Sequence, residues 1–142
     1  MSRARLLLLV ATLGANACHA ADGAMSHSCP DRVHVASGTL APADIPDGWK
    51  ANFQDSQIWL TGNSVFEGPP EKGGAQMPTS TRGTTATWKF AAPAEEGYWL
   101  SCDYANGLIH LAVRADAKAT SCTATFTKSG QPRVPHSEFT CR

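Results

Sequence analysis

The pair Asn106-Gly107 constrains this chain more than any other two residues. Both central positions of a two-residue type I′ turn need positive φ, and Asn-Gly supplies that at low steric cost. The flanking runs, Tyr98 to Ala105 and Leu108 to Arg114, then have one natural register. Ala105 pairs with Leu108, Tyr104 with Ile109, Asp103 with His110, Cys102 with Leu111, Ser101 with Ala112 and Leu100 with Val113. One face collects Tyr98, Leu100, Cys102, Tyr104, Ile109, Leu111 and Val113, and is expected to point at the core. The other collects Trp99, Ser101, Asp103, His110, Ala112 and Arg114. A slip of one residue would mix the two sets, so the pattern itself fixes the pairing.

The same period of two recurs on both sides of the hairpin. Ala86, Trp88 and Phe90 alternate with Thr85, Thr87 and Lys89, the signature of a half-buried strand. Cys122, Ala124 and Phe126 alternate with threonine and serine, and Phe139 and Cys141 share a face at the end of the chain. The core face stays continuous if Cys122 lies beside Val113 and Ala124 beside Leu111. Further strands are expected over Val33 to Leu40, over Gln57 to Thr61, and as a brief return over Ser64 to Phe66 after a turn at Gly62-Asn63. Trp49 is expected to cap the core, and Ala21 to Ser28 to fray. No apolar period of 3.6 appears. The expected fold is all-β: a single antiparallel meander forming a small sandwich or partly open barrel.

The first twenty residues stand apart. Arg3 and Arg5, the apolar run Leu6 to Leu13 and the small residues ending in Ala20 have the layout of a secretory signal peptide. The expected organisation is a signal over 1–20 and one exported β domain over 21–142. A lipid anchor at Cys18 is the less favoured reading, because Ala15 stands where a lipidation motif has leucine. Cys29, Cys102, Cys122 and Cys141 remain, an even number in an exported chain, which points to two disulfides. Zinc sites group cysteines in close pairs, and none here are closer than nineteen residues. Two strands apart in one sheet, Cys102 and Cys122 would lie about 9–10 Å from each other, beyond disulfide reach. Cys122 and Cys141 can sit opposite each other on adjacent strands, so the favoured pairs are Cys122–Cys141 and, tying the N-terminal segment to the central strand, Cys29–Cys102.

Removing 1–20 leaves ten basic against twelve acidic residues, which speaks against a nucleic-acid partner. Beyond the signal, no apolar run is long enough to span a membrane. Ser101, Asp103 and His110 include the residue types of a hydrolase triad, but a mid-strand serine has no strained elbow and no oxyanion hole. They read as an exposed polar row with one cross-strand charge pair. His27, His34 and His136 are dispersed, and no metal or cofactor is expected. The residues that suit a partner are Trp99, on the solvent face of the hairpin, and the stiff loop Glu67-Gly68-Pro69-Pro70-Glu71.

The ordered set Cys29-Pro30, Gly48-Trp49, Gly68-Pro69-Pro70-Glu71, Trp88, Trp99-x-x-Cys102-x-Tyr104, Cys122 and Cys141 resembles an uncharacterised family of small exported proteobacterial proteins, first catalogued from a Salmonella open reading frame. The resemblance covers nearly the whole exported part. It implies a periplasmic location and two disulfides, and it brings no activity or catalytic residue. In size, export and cysteine-stabilised β structure the chain is also similar to small periplasmic inhibitors of lysozymes, a likeness of shape alone. The expected function is non-enzymatic, a periplasmic or secreted binding or inhibitor-like protein whose loops contact an envelope or host protein. The alternatives are a small hydrolase of cell-wall or sugar substrates using Glu67, Glu71, Glu95 or Glu96, and an envelope structural or accessory protein.

Overall fold

The computed structural model describes residues 24–39, 41–72 and 74–142, so the expected signal over 1–20 and Cys18 lie outside the described residues. The alternating segments form β1 (Met25–Cys29), β2 (Arg32–Val35), β3 (Ser56–Glu67), β4 (Gly74–Gln76), β5 (Ser80–Arg82), β6 (Thr85–Lys89), β7 (Tyr98–Tyr104), β8 (Ile109–Arg114), β9 (Ser121–Ser129) and β10 (Val134–Cys141). One sheet has the order β1-β10-β9-β6-β5, the other β2-β3-β7-β8 with β4 added to β3, and every ladder is antiparallel. The result is the expected all-β antiparallel sandwich. Its core takes Leu60, Val65, Leu100 and Tyr104 from one sheet and Trp88, Ala124 and Phe139 from the other. Burying each large apolar side chain contributes about 1.5–3 kcal/mol. Asn63 reaches between the sheets and donates to Ser137 Oγ at 3.0 Å, which satisfies the fully buried serine.

Several expected boundaries move, and the strand expected over Val33 to Leu40 stops at Val35. Gly62-Asn63 makes no turn, and Gln57–Thr61 and Ser64–Phe66 belong to one long strand with an irregularity between Leu60 and Gly62. The reason is parity. Leu60 and Val65 are five residues apart and would face opposite ways in a regular strand. Their partners Tyr104 and Leu100 are four apart and share a face. Thr61, the extra residue, absorbs the difference, and both apolar side chains become buried. Its hydroxyl donates to Asp103 O at 2.9 Å and accepts the Asn106 N–H at 3.2 Å, bracing the hairpin turn. In the N-terminal segment, Met25 to Cys29 is a strand rather than frayed chain, because Met25, His27 and Cys29 turn inward along β10 while Ser26 and Ser28 face solvent.

The hairpin register is as expected from Leu100↔Val113 through Tyr104↔Ile109. Asn106 at φ 56° and Gly107 at φ 86° carry the turn, with Leu108 N–H donating to Ala105 O at 3.3 Å. Ala105 itself sits at φ 50° and leaves the ladder, so the expected Ala105–Leu108 pair is not formed. Beyond β8 the chain crosses to the other sheet. Cys122 and Ala124 on β9 lie between β10 and β6, not beside Val113 and Leu111. Leu111 and Val113 are consequently 48% and 41% exposed. Trp49 caps nothing: it is 74% exposed on the loop between β2 and β3.

Both disulfides have the expected partners. Cys122–Cys141 joins directly opposed residues of β9 and β10 with a Cα separation of 4.1 Å. Cys29–Cys102, at 5.6 Å, ties the end of β1 to the middle of β7 and so fastens one sheet over the other. Because it closes a 73-residue separation against 19, its loss should cost the more: about 4 kcal/mol against about 3 kcal/mol for paired Cys→Ser variants in urea unfolding, on a chain-entropy basis.

Tyr104 is fully buried and donates its hydroxyl to Pro30 O at 2.8 Å. Burial first, then the Asp31 and Asp103 carboxylates, push its phenol above the usual value of 10.0. The folded chain therefore keeps this proton to higher pH than the unfolded chain. The stabilisation is complete below the unfolded value and is lost as pH rises through the elevated folded one. Unfolding free energies measured from neutral to strongly alkaline pH should fall above pH 10 in the natural sequence. In Tyr104→Phe the fall should be smaller, after a loss of about 1 kcal/mol at neutral pH for the missing hydrogen bond.

Candidate partner-binding face

The outer face of the β2-β3-β7-β8 sheet gathers most of the side chains that suit a partner. Phe66 on β3 lies opposite Trp99 on β7, and Trp99 lies opposite Arg114 on β8. Trp99 is half-buried, its indole N–H donating to Glu96 O at 3.1 Å. Just past Glu67 the chain turns outward, with Gly68 N–H donating to Gly97 O at 2.8 Å. Lys72 Nζ reaches Glu96 Oε1 at 3.3 Å. The structure thus brings the Pro-Pro loop and Trp99, separate in sequence, to one end of one sheet. Glu67 and Glu71 are exposed, Pro69 and Pro70 half-buried and Gly68 buried. Gly97 has φ 76°, and a Cβ there would meet Arg114 Nε at 2.5 Å, so glycine lets the guanidinium lie across this turn.

Next to Trp99 lies a polar cluster. Asp103 opposes His110, as the register predicts, but the row is not exposed: Ser101 is 0% and Asp103 8% exposed. The correction comes from β3, whose Ser64 and Phe66 fall on this same face. Phe66 is buried outside the central core and meets the His110 ring edge-on, centroids 5.1 Å apart. Beneath these rings one carboxylate organises three donors. Asp103 Oδ1 accepts from Ser101 Oγ at 2.7 Å and from His110 Nδ1 at 2.9 Å, and Oδ2 accepts from Ser64 Oγ. Ser101 Oγ also lies 3.1 Å from His110 Nδ1. The donor count satisfies the buried carboxylate. It also fixes the tautomer: Nδ1 carries hydrogen toward Asp103, and Nε2 is turned away from the cluster.

This geometry is not that of a nucleophile. In a hydrolytic triad the serine and the acid address opposite nitrogens of the imidazole. Here both address Nδ1, and the serine gives its proton to the carboxylate. The cluster positions His110; it does not activate Ser101. Glu95 and Glu96 lie on the turn preceding Trp99, where Glu96 pairs with Lys72, and Glu67 Oε2 accepts from Gln76 Nε2 at 3.3 Å. Among the described residues no three His, Cys, Asp or Glu side chains are placed to hold a metal. A cleft of about 960 Å³ lies elsewhere, within the loop that links β2 to β3, lined by Ile45, Trp49 and Phe53.

Trp99 and the Pro-Pro loop were legible as surface features; the Ser64–Phe66 contribution was hidden behind the expected turn at Gly62-Asn63. Removing the organising carboxylate should be costly. Asp103→Ala leaves the Ser64, Ser101 and His110 donors without their acceptor, and unfolding in urea should show a loss of about 1–3 kcal/mol. Nitrogen NMR of His110 should show the Nδ1–H tautomer in the natural protein and a mixture in the variant.

Residues 54–142, which hold every strand from β3 to β10, match the family model described as Type VI secretion system Tli immunity protein. No curated protein and no solved structure matches the chain.

Proposed function

The chain belongs to the Type VI secretion system Tli immunity protein family, and we propose from that premise that it binds a toxin effector and blocks it by contact rather than by chemistry. The family match carries this reading, since an immunity protein acts by holding a toxin. The two disulfides support a periplasmic site of action, because such bonds persist in oxidising compartments. In this reading residues 1–20 direct export and are removed, and 21–142 is the working protein. Among the described residues no helix is long and apolar enough to cross a membrane. The contact is made by the rigid end of the β3-β7-β8 sheet. Trp99 supplies the aromatic anchor, Gly68-Pro69-Pro70 a stiff loop that loses little entropy on docking, and Glu67 and Glu71 its charged rim.

Co-expression in the periplasm with the type VI effectors of the source cell tests it. The chain should restore growth against one of them, and the purified pair should associate. Trp99→Ala should weaken that association at least tenfold, or about 1.4 kcal/mol, with folding intact by circular dichroism. Restoration of growth against none of the effectors would remove the proposal.

A further inference from the structure

Among the described residues, β8 is the longest edge strand of the sandwich, and it lacks the usual protection. In its ladder with β7, Ala115 N–H donates to Tyr98 O at 2.8 Å, which sets the hydrogen-bonding phase. By antiparallel alternation Val113, Leu111 and Ile109 bond to β7. His110, Ala112 and Arg114 therefore aim their backbone N–H and C=O groups outward, where β8 has no further strand among the described residues. Exposed edges are commonly blunted by brevity, proline, lysine or a bulge. The edges at β5 and β4 are three residues each, β2 has four residues with Arg32 and His34 on its solvent side, and β1 has five with Ser26 and Ser28 on its solvent side. β8 runs six residues, Ile109-His110-Leu111-Ala112-Val113-Arg114, without proline, lysine, acid or irregularity.

Its two faces are chemically distinct. Inward lie Leu111 and Val113, overhanging the other sheet. Cys29–Cys102 places β7 over β1, the last strand of that sheet, so β8 lies one strand beyond its edge. Leu111 and Val113 are nearly half exposed, and Leu108 beside them is 86% exposed. Outward lie His110 and Arg114. The Asp103 carboxylate holds His110 Nδ1, and Arg114 has no ion-pair partner among the described residues. Arg114 is also the cross-strand neighbour of Trp99, so this edge is continuous with the proposed contact face.

We infer that β8 takes up an extended segment of the effector as an added strand, a deepening that rests on the immunity reading above. Backbone bonds to His110, Ala112 and Arg114 hold it, and side chains at alternate positions select it. The incoming strand carries apolar residues opposite Leu111 and Val113 and an acidic residue opposite Arg114, the complement of this edge on each face.

Ala112→Pro is the discriminating variant. Its amide is not used by β7, so proline spares the internal ladder and removes a bond only from an added strand. Ala112→Val keeps the amide and serves as control. The probe is the effector against which the natural sequence restores growth. Its Kd should rise at least thirtyfold for Ala112→Pro and change less than about threefold for Ala112→Val. In the wild-type complex, amide exchange at His110, Ala112 and Arg114 should slow at least tenfold relative to the free protein, a readout that needs no variant. Tight binding by folded Ala112→Pro, or unchanged exchange at these amides, overturns the strand addition and leaves the immunity reading standing. A free protein that is dimeric and is made monomeric by Ala112→Pro would seat a second copy on this edge and overturn the effector as occupant. If the natural sequence restores growth against no effector, the immunity reading falls and takes this inference with it.

Discussion

The extra residue in β3 is the constraint on which the sheet depends. A regular strand from Ser56 to Glu67 could bury Leu60 or Val65, not both. Thr61 shifts the phase, and the chain gains two core side chains on the inner face together with Ser64 and Phe66 on the outer one. The polar cluster around Asp103 follows from that shift, because Ser64 supplies one of its donors and Phe66 roofs it. The Thr61 side chain also joins Asp103 O to the amide of Asn106, linking the strand irregularity, the cluster and the hairpin turn.

Much of this was legible in the residues. The Asn106-Gly107 turn and the alternation around it fixed the β7-β8 register, and two strand spacings eliminated the Cys102–Cys122 pairing. That elimination assumed a single sheet; in the structure the two cysteines belong to different sheets, and the favoured pairs hold for a stronger reason. What was not legible depended on non-local choices. No local signal says that the link after Arg114 crosses to the opposite sheet instead of turning back. Gly62-Asn63 has turn chemistry, and only the need to bury both Leu60 and Val65 overrides it. Met25-Ser26-His27-Ser28 lacks β-branched residues and becomes a strand because β10 offers it a ladder.

The candidate site shows the same division. Trp99 and the Gly68-Pro69-Pro70 loop stand out by composition, and the fold adds that they share one end of one sheet. Ser101, Asp103 and His110 were visible as a group with the wrong environment assigned. Their pairing was a matter of register, while their burial came from a third strand. The function itself rests on similarity across 54–142, since an immunity protein needs a shaped surface and no particular reactive group.

The Cys29–Cys102 bond joins a residue outside that matched region to one within it. The segment carrying β1 and β2 is thereby stapled to the remainder at a point far along the chain from its peptide connection. The connection itself, the loop through Pro46, Trp49 and Phe53, is exposed, the setting in which proteolytic cuts concentrate. A cut there yields two polypeptides that remain one molecule, with β1 still laddered on β10 and the disulfide as its tether. The link through this loop is thus dispensable for holding the folded parts together in the oxidised protein, which a single cut there leaves covalently joined.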